Sequence, residues 1–174
     1  MITNDFLINP FKLGIPRANN GTDSDVYTTI IREVEYCIDL YERNYLKAIL
    51  GDELYAEYIV DMAVPETAAK WSAFNSKLIV DDKAFISPIA NYIFYHYVKR
   101  NNVKYIDDQF QINKIEGATI LNTDIEINKI WNEMVAMNET FLAWFISNVP
   151  KTTAKLNYYM WTYLTTTKSS IAWS

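Results

Sequence analysis

The chain has 174 residues, of which 50% are hydrophobic and 21% are charged, and this composition excludes a disordered chain. It contains only four glycines and five prolines, too few for a sandwich or barrel of many short strands, so we expect a mainly α fold. The formal charge of -5 argues against a protein that binds nucleic acid by neutralising phosphates. Cys37 and His96 are single, which excludes a disulfide framework, a zinc cluster and a histidine-based catalytic constellation within one chain.

The first 23 residues are predicted to form an extended N-terminal arm, not a helix. They contain prolines and the turn signal Asn19-Asn20-Gly21, and they lack the basic start and unbroken apolar run of a secretory signal. The chain also has no stretch of about 18 apolar residues, so we expect a soluble protein of a reducing cytosol. Apolar side chains such as Phe6 and Phe11 indicate that the arm lies in a groove, either on its own domain or on a neighbouring subunit.

A helical bundle domain is predicted over residues 24–149, beginning with a long helix capped by Ser24 or Asp23 and ended by Gly51. Its inward face recurs in steps of three and four residues and consists of Val26, Ile30, Val34, Ile38, Tyr41, Tyr45 and Ile49. Cys37 is expected to be a small core residue. Asp52 is expected to cap a short helix, and Pro65-Glu66 to open another with Trp71, Phe74 and Leu78.

The next helix is predicted to lie at the centre of the domain. Ser87-Pro88 reads as its N-cap and first position, and the residues that follow leave almost no polar face before Lys99. His96 lies within this aromatic run. It is interpreted as a satisfied core or interface histidine, because a lone catalytic base needs partners that the chain does not offer.

Residues 103–122 are predicted to form a long loop or a β-hairpin inserted before the last long helix. Phe110 and Ile112 alternate with polar residues, and Glu116-Gly117 offers a turn. At about twenty residues, an insertion of this length between helices is usually functional. The last long helix is then expected to begin at Thr123, whose spacing to Glu126 is that of a capping box, and to end at Pro150.

Residues 150–174 are predicted to form an extended C-terminal arm that is rich in threonine and aromatic residues. Threonine-rich stretches disfavour helix, while Tyr and Trp anchor interfaces, so this segment is built to be buried. It lies either on another subunit or on its own monomer.

The sequence lacks the patterns that accompany common catalytic and binding sites. It has no GxGxxG, GxxxxGK[ST], GxSxG or HExxH motif, and no nucleophile with a base beside it. The doublets Asp81-Asp82 and Asp107-Asp108 offer paired carboxylates for Mg²⁺ or acid-base work, but adjacent loop residues point apart and are usually solvated. We therefore expect no enzyme activity, no cofactor and no metal site.

Three sequence blocks resemble the helical head-tail connector proteins of tailed bacteriophages, also called adaptor, neck or head-completion proteins, particularly forms from phages of Bacteroidetes hosts. They are residues 42–55 (ERNYLKAILGDELY), residues 92–102 (YIFYHYVKRNN), and the pair 117–120 (GATI) and 131–138 (WNEMVAMN). The resemblance covers residues 24–147 and leaves both terminal arms outside.

The resemblance implies a structural virion protein at the neck, made in the bacterial host cytoplasm. Copies form a ring, commonly of twelve, below the portal protein; the ring contacts further neck or tail ring proteins, and DNA passes through its lumen without specific binding. No membrane partner is implied. Predicted interface residues in the arms and the insertion are Phe6, Phe11, Phe110, Ile112, Tyr158, Tyr159, Trp161, Tyr163 and Trp173.

A second hypothesis from a different class is a soluble helical enzyme or a ligand-binding regulatory module. In that case the apolar helix around His96 lines a pocket, and Asp107 and Asp108 are the other polar participants.

Overall fold

A computed structural model provides the structure of the protein, and it describes residues 1–11, 13–14, 23–101, 104–106, 109–111, 123–148 and 158–168. The helices are α1 (Asp5–Ile8), α2 (Asp23–Met62), α3 (Pro65–Ala68), α4 (Ser72–Leu78), α5 (Pro88–Asn101), α6 (Thr123–Asn148) and α7 (Tyr158–Thr165), with a 3-10 turn at Ala69–Trp71. Three short strands are β1 (Leu13–Gly14), β2 (Lys104–Ile106) and β3 (Gln109–Gln111). The prediction of a mainly α fold is confirmed.

Helix α2 is interrupted at Gly51, where the sequence predicts the end of the first long helix. Gly51 has φ 74° and ψ 170°, a backbone conformation that a residue with a Cβ atom avoids. Across the break, the Lys47 ammonium lies 2.8 Å from an Asp52 carboxylate oxygen. The chain therefore changes direction at Gly51 and resumes a helix at once.

Helix α5 is the central element, as predicted, and contacts α1, α2 and α6. Its start is fixed by Ser87, whose hydroxyl accepts the Ile89 N–H at 3.2 Å and donates to the Leu78 carbonyl at 2.7 Å. Every side chain from Pro88 to Tyr95 is buried, and so are Tyr97 and Val98. The fully apolar surface of α5 is thus covered on several sides by neighbouring helices.

The predicted helix from Pro65 to Leu78 is instead three short pieces, α3, the 3-10 turn and α4. Trp71 lies in the middle piece, where its indole nitrogen donates to an Asp61 carboxylate oxygen at 2.9 Å. This buried hydrogen bond ties the turn to the end of α2, and a continuous helix is interrupted to make it.

The N-terminal segment is not an extended arm within residues 1–11. Asp5–Ile8 form one helical turn, and Phe6 and Leu7 are buried beside α5. Phe11 stacks on Phe94 with ring centroids 4.1 Å apart. Of the two predicted sites for this arm, these residues occupy the groove on their own domain.

The C-terminal segment is also not extended in its described part, because residues 158–165 form α7. Trp161 and Leu164 are spaced three residues apart and are both buried. Tertiary burial overrides the low helix propensity of threonine here. The Thr165 hydroxyl donates to the Trp161 carbonyl one turn earlier, at 2.8 Å, so it does not compete with the helix.

Strands β2 and β3 lie inside the predicted insertion and pair antiparallel, with Tyr105 opposite Phe110. Strand β1 pairs in parallel with the other side of β3, with Leu13 opposite Phe110. Both strands that pair with β3 therefore precede it along the chain, whereas the sequence predicted a turn that follows it. That turn, Glu116-Gly117, lies outside the described residues.

Candidate functional site

His96 lies among aromatic rings from three helices. Its ring stacks on Tyr41 of α2 at 4.7 Å, and it meets Tyr92 of α5 edge-on at 4.4 Å and Trp131 of α6 at 6.4 Å. Residues four apart on a helix share a face, so Tyr92 and His96 project to the same side of α5. The ring therefore lies among core aromatic residues while His96 itself is half-buried, and its interpretation as a core or interface histidine stays a prediction.

The imidazole of His96 is held neutral. Burial and, to a smaller extent, the nearby Lys168 charge together lower the pKa of His96 to about 4. Its buried Nε2 atom has no hydrogen-bond partner among the described residues, and the prediction of a satisfied histidine stays a prediction at this nitrogen. Because no carboxylate is hydrogen-bonded to Nε2 there, the described surroundings of His96 do not form an acid-base pair.

A cavity of about 850 Å³ opens between the N-terminal residues and α2. Its lining includes Ile2, Glu35, Glu42, Tyr55 and Ile59, and does not include His96. The Glu42 carboxylate accepts the Ile2 N–H at 3.0 Å and lies 3.1 Å from the Met1 amine. The cavity is therefore not the pocket around His96 that the sequence suggested. The Glu42 carboxylate in its lining is already bound to the N-terminal residues of the same chain.

Of the two acidic doublets, the structure describes only Asp81-Asp82. Asp81 accepts the Lys83 and Ala84 N–H groups, each at 2.9 Å, and thereby forms the turn before α5. Asp107 and Asp108 lie outside the described residues. Within the described ranges, no three His, Cys, Asp or Glu side chains are grouped so as to hold a metal ion.

Cys37 is fully buried, as predicted for a core cysteine. Burial, with a contribution from the Glu33 charge, raises the pKa of the thiol to about 11. The protonated thiol is a poor nucleophile, so its environment favours a packing role.

The predicted interface residues fall into three groups. Phe6, Phe11 and Trp161 are buried in the core of their own chain, which accounts for their apolar character without a partner. Tyr163 is 37% exposed. Phe110, Tyr158 and Tyr159 are described only as backbone of β3 and α7, while Ile112 and Trp173 lie outside the described residues. An intersubunit role for these nine residues stays a prediction.

A different surface presents apolar side chains to solvent. Ile59 is 49% exposed, Val60 68%, Met62 39% and Val64 43%, and we call these four residues the apolar end of α2. Single exposed apolar residues are ordinary, but four of them within residues 59–64 are a candidate contact surface. The sequence predicted a short helix after Asp52 but did not indicate which of its apolar residues are exposed. The sequence signal for this surface is the density of apolar residues at positions 59–64.

The apolar end of α2 is held in place by a polar network behind it. Asp61 accepts the Trp71 indole N–H and forms an ion pair with Lys70, which lies 2.6 Å from a Glu57 oxygen. Hydrogen bonds from Lys70 and Trp71 lower the pKa of Asp61. Ile59, Val60 and Met62 are therefore carried by a helix end that side-chain bonds hold in place, and Val64 lies in the short link to α3.

None of the helices in the described part of the chain is long and apolar enough to cross a membrane. Comparison of the chain with family models, with curated proteins and with solved structures gives no match.

Proposed function

We propose that this chain is a structural virion protein of a tailed bacteriophage, which forms a ring below the portal, joins the capsid to the tail and extends the DNA channel. The three sequence blocks that resemble head-tail connector proteins support the class. The portal protein, further neck rings and neighbouring copies of the chain are the proposed partners, and DNA passes without specific binding.

The observation that carries the proposal is the apolar end of α2. A ring repeats one contact between two different surfaces of adjacent subunits, so each copy must present a fixed apolar surface to its neighbour. Ile59, Val60, Met62 and Val64 supply exposed apolar side chains for such a contact, and the Asp61–Trp71 hydrogen bond ties the end of α2 to the 3-10 turn. The network lowers the ordering cost of association because the helix end is already positioned.

The buried terminal segments change how the proposal is tested. Deletion of residues 151–174 removes Trp161 and Leu164 from the core, so loss of assembly after that deletion would also follow from unfolding. A substitution at an exposed residue separates the two effects.

The test compares Val60→Asp with Val80→Asp, because Val80 is also exposed, at 57%, but lies outside the apolar end of α2. Each purified protein is co-sedimented with the portal protein encoded near it, and complexes are imaged for rotational symmetry. We expect stoichiometric rings with the unmodified chain and with Val80→Asp, and loss of rings with a folded Val60→Asp protein, because a carboxylate would be desolvated at each contact.

If Val60→Asp forms the same rings as the unmodified chain, the apolar end of α2 is not the contact surface, while the proposal of a ring still stands. Absence of any complex with the unmodified, folded chain would overturn the proposed function. The ligand-binding hypothesis around His96 would then be the better one, since Nε2 there has no described partner.

A further inference from the structure

Residues 166–168, which follow α7, are bound to α6 by their backbone. The Trp131 indole nitrogen donates to the Thr166 carbonyl at 2.8 Å. The Asn132 amide contacts both backbone groups of one residue: its oxygen accepts the Lys168 N–H at 2.8 Å and its nitrogen donates to the Lys168 carbonyl at 3.0 Å. These paired bonds fix where the Lys168 side chain starts.

The Lys168 ammonium lies over three aromatic rings. Its nitrogen is 4.2 Å from the Trp131 ring centroid, 5.1 Å from that of Tyr95 and 5.7 Å from that of Tyr163. We call these three rings the aromatic cage. The rings come from α6, α5 and α7, and Lys168 makes no salt bridge with any residue in the described ranges.

The cage is held by the surrounding packing. Trp131 is fully buried, and its ring lies 4.7 Å from Tyr95 and 5.1 Å from Tyr163, measured between centroids. A cation within about 6 Å of an aromatic ring face is attracted by the ring quadrupole, and the attraction grows as water is excluded. His96, which is neutral at neutral pH, lies 6.4 Å from Trp131 and adds no competing charge.

We propose that Tyr95, Trp131 and Tyr163 form a binding site for alkylammonium groups, and that Lys168 is the ligand which the chain supplies to its own site. The inference is independent of the proposed ring. Attraction to the ring faces requires charge and size but no N–H donor. Quaternary ammonium ions therefore belong to the class of ligand that fits once the Lys168 side chain is removed.

The first experiment uses the full chain labelled with ¹⁵N at its five tryptophans. Trp131→Phe assigns the Trp131 indole resonance, which reports the site directly because that N–H donates to Thr166. Tetramethylammonium chloride is titrated into Lys168→Ala and into the unmodified chain, with sodium chloride at equal concentration as the control for ionic strength. The remaining indole resonances verify that each variant is folded.

In Lys168→Ala we expect a saturable shift of the Trp131 resonance, with half-saturation at roughly 10–50 mM tetramethylammonium. The unmodified chain is expected to need at least about tenfold more, because its tethered lysine competes. A Trp131 response of Lys168→Ala that sodium chloride reproduces would overturn the proposal, and so would an equal response of the unmodified chain.

The second experiment measures amide hydrogen exchange at residue 168, whose N–H donates to Asn132. Lys168→Met removes the charge at similar length, Lys168→Arg keeps it, and Lys83→Met makes the same change at an exposed lysine in the turn before α5. We expect exchange at least about threefold faster in Lys168→Met, and rates within about twofold of the unmodified chain in the other two. Unchanged exchange in Lys168→Met would show that the backbone bonds alone hold the segment, and would overturn the cage as a cation site.

Discussion

The two terminal segments are both packed on the domain, but they are held by different physical means. The N-terminal segment inserts large apolar side chains, with Phe6 and Leu7 buried and Phe11 stacked on Phe94. The C-terminal segment buries Trp161 and Leu164, but three of its carbonyl groups are also bound by side chains of α6. Apolar burial tolerates small shifts, whereas hydrogen bonds to fixed donors specify one position.

The difference predicts different responses to substitution. Loss of an apolar contact at the N-terminal segment lowers the free energy of unfolding of the whole domain, because Phe11 belongs to the same core as α5. Loss of a polar donor at the C-terminal segment leaves buried partners without hydrogen bonds and releases that segment first.

The largest effect is expected for Phe11→Ala. Truncation leaves a cavity against Phe94, and we expect the free energy of unfolding to fall by about 3–4 kcal/mol. Chemical denaturation measures it, with Phe11→Leu as the control because it keeps most of the volume and costs under about 1.5 kcal/mol. Equal stability of the two variants would show that the N-terminal segment is not part of the core.

A smaller effect is expected for Asn138→Ala in α6. Asn138 is fully buried; its oxygen accepts the Tyr45 hydroxyl of α2, and its nitrogen donates to the Leu164 carbonyl of α7 at 2.9 Å. Removal leaves both partners unsatisfied, so we expect a loss of about 2–3 kcal/mol and faster amide exchange in residues 158–168 than in residues 1–11.

Tyr45→Phe is the matched second substitution for Asn138→Ala. It removes one of the two unsatisfied groups, so the double variant should recover about 1 kcal/mol relative to Asn138→Ala alone. If the double variant loses the sum of the two single losses, Tyr45 and Asn138 are not coupled through the hydrogen bond between α2 and α6.

The two segments also show what the sequence could and could not predict. Periodicity located the long helices, and Gly51 and Ser87-Pro88 located a break and a start, because these signals act through residues close in the chain. The helix α7 was missed because it depends on burial of Trp161 and Leu164 by distant residues. The aromatic cage was missed for the same reason: Tyr95, Trp131 and Lys168 are brought together only by the packing of α5, α6 and the residues after α7.

The pattern of exposed residues was missed for a different reason. Ile59 and Val60 are equally apolar in sequence, and hydrophobicity alone does not tell a buried stripe from a surface that awaits a partner. The same limit applies to Phe6 and Trp161, whose apolar character led to a predicted interface and which are buried in the chain's own core.

The smallest expected effect is a dependence of the unfolding free energy on pH, which arises from His96 and from Lys168 in the C-terminal segment. His96 has its pKa lowered to about 4 by burial and by Lys168, compared with 6.5 for an unburied histidine. The unfolded chain therefore binds a proton at this residue between pH 6.5 and 4 that the folded chain does not bind. Stability is complete above pH 6.5 and falls as the pH decreases through this interval.

Each unit of pKa difference corresponds to about 1.4 kcal/mol, and because the ring is partly exposed we expect a total loss near 2 kcal/mol. His96→Phe is the control, since it keeps a ring against Tyr41 and does not titrate. The difference in unfolding free energy between the two proteins, measured from pH 7 to 4.5, removes the contribution of carboxylates common to both. We expect the unmodified chain to lose more stability with acid than His96→Phe does. We also expect the protection of amides 166–168, relative to the intrinsic exchange rate at each pH, to fall in the unmodified chain only, because a protonated His96 repels the Lys168 ammonium across the cage. Parallel pH profiles of the two proteins would contradict a His96 that stays neutral in the folded chain, and would leave Lys168 held by the aromatic rings and Asn132 without any contribution from the histidine.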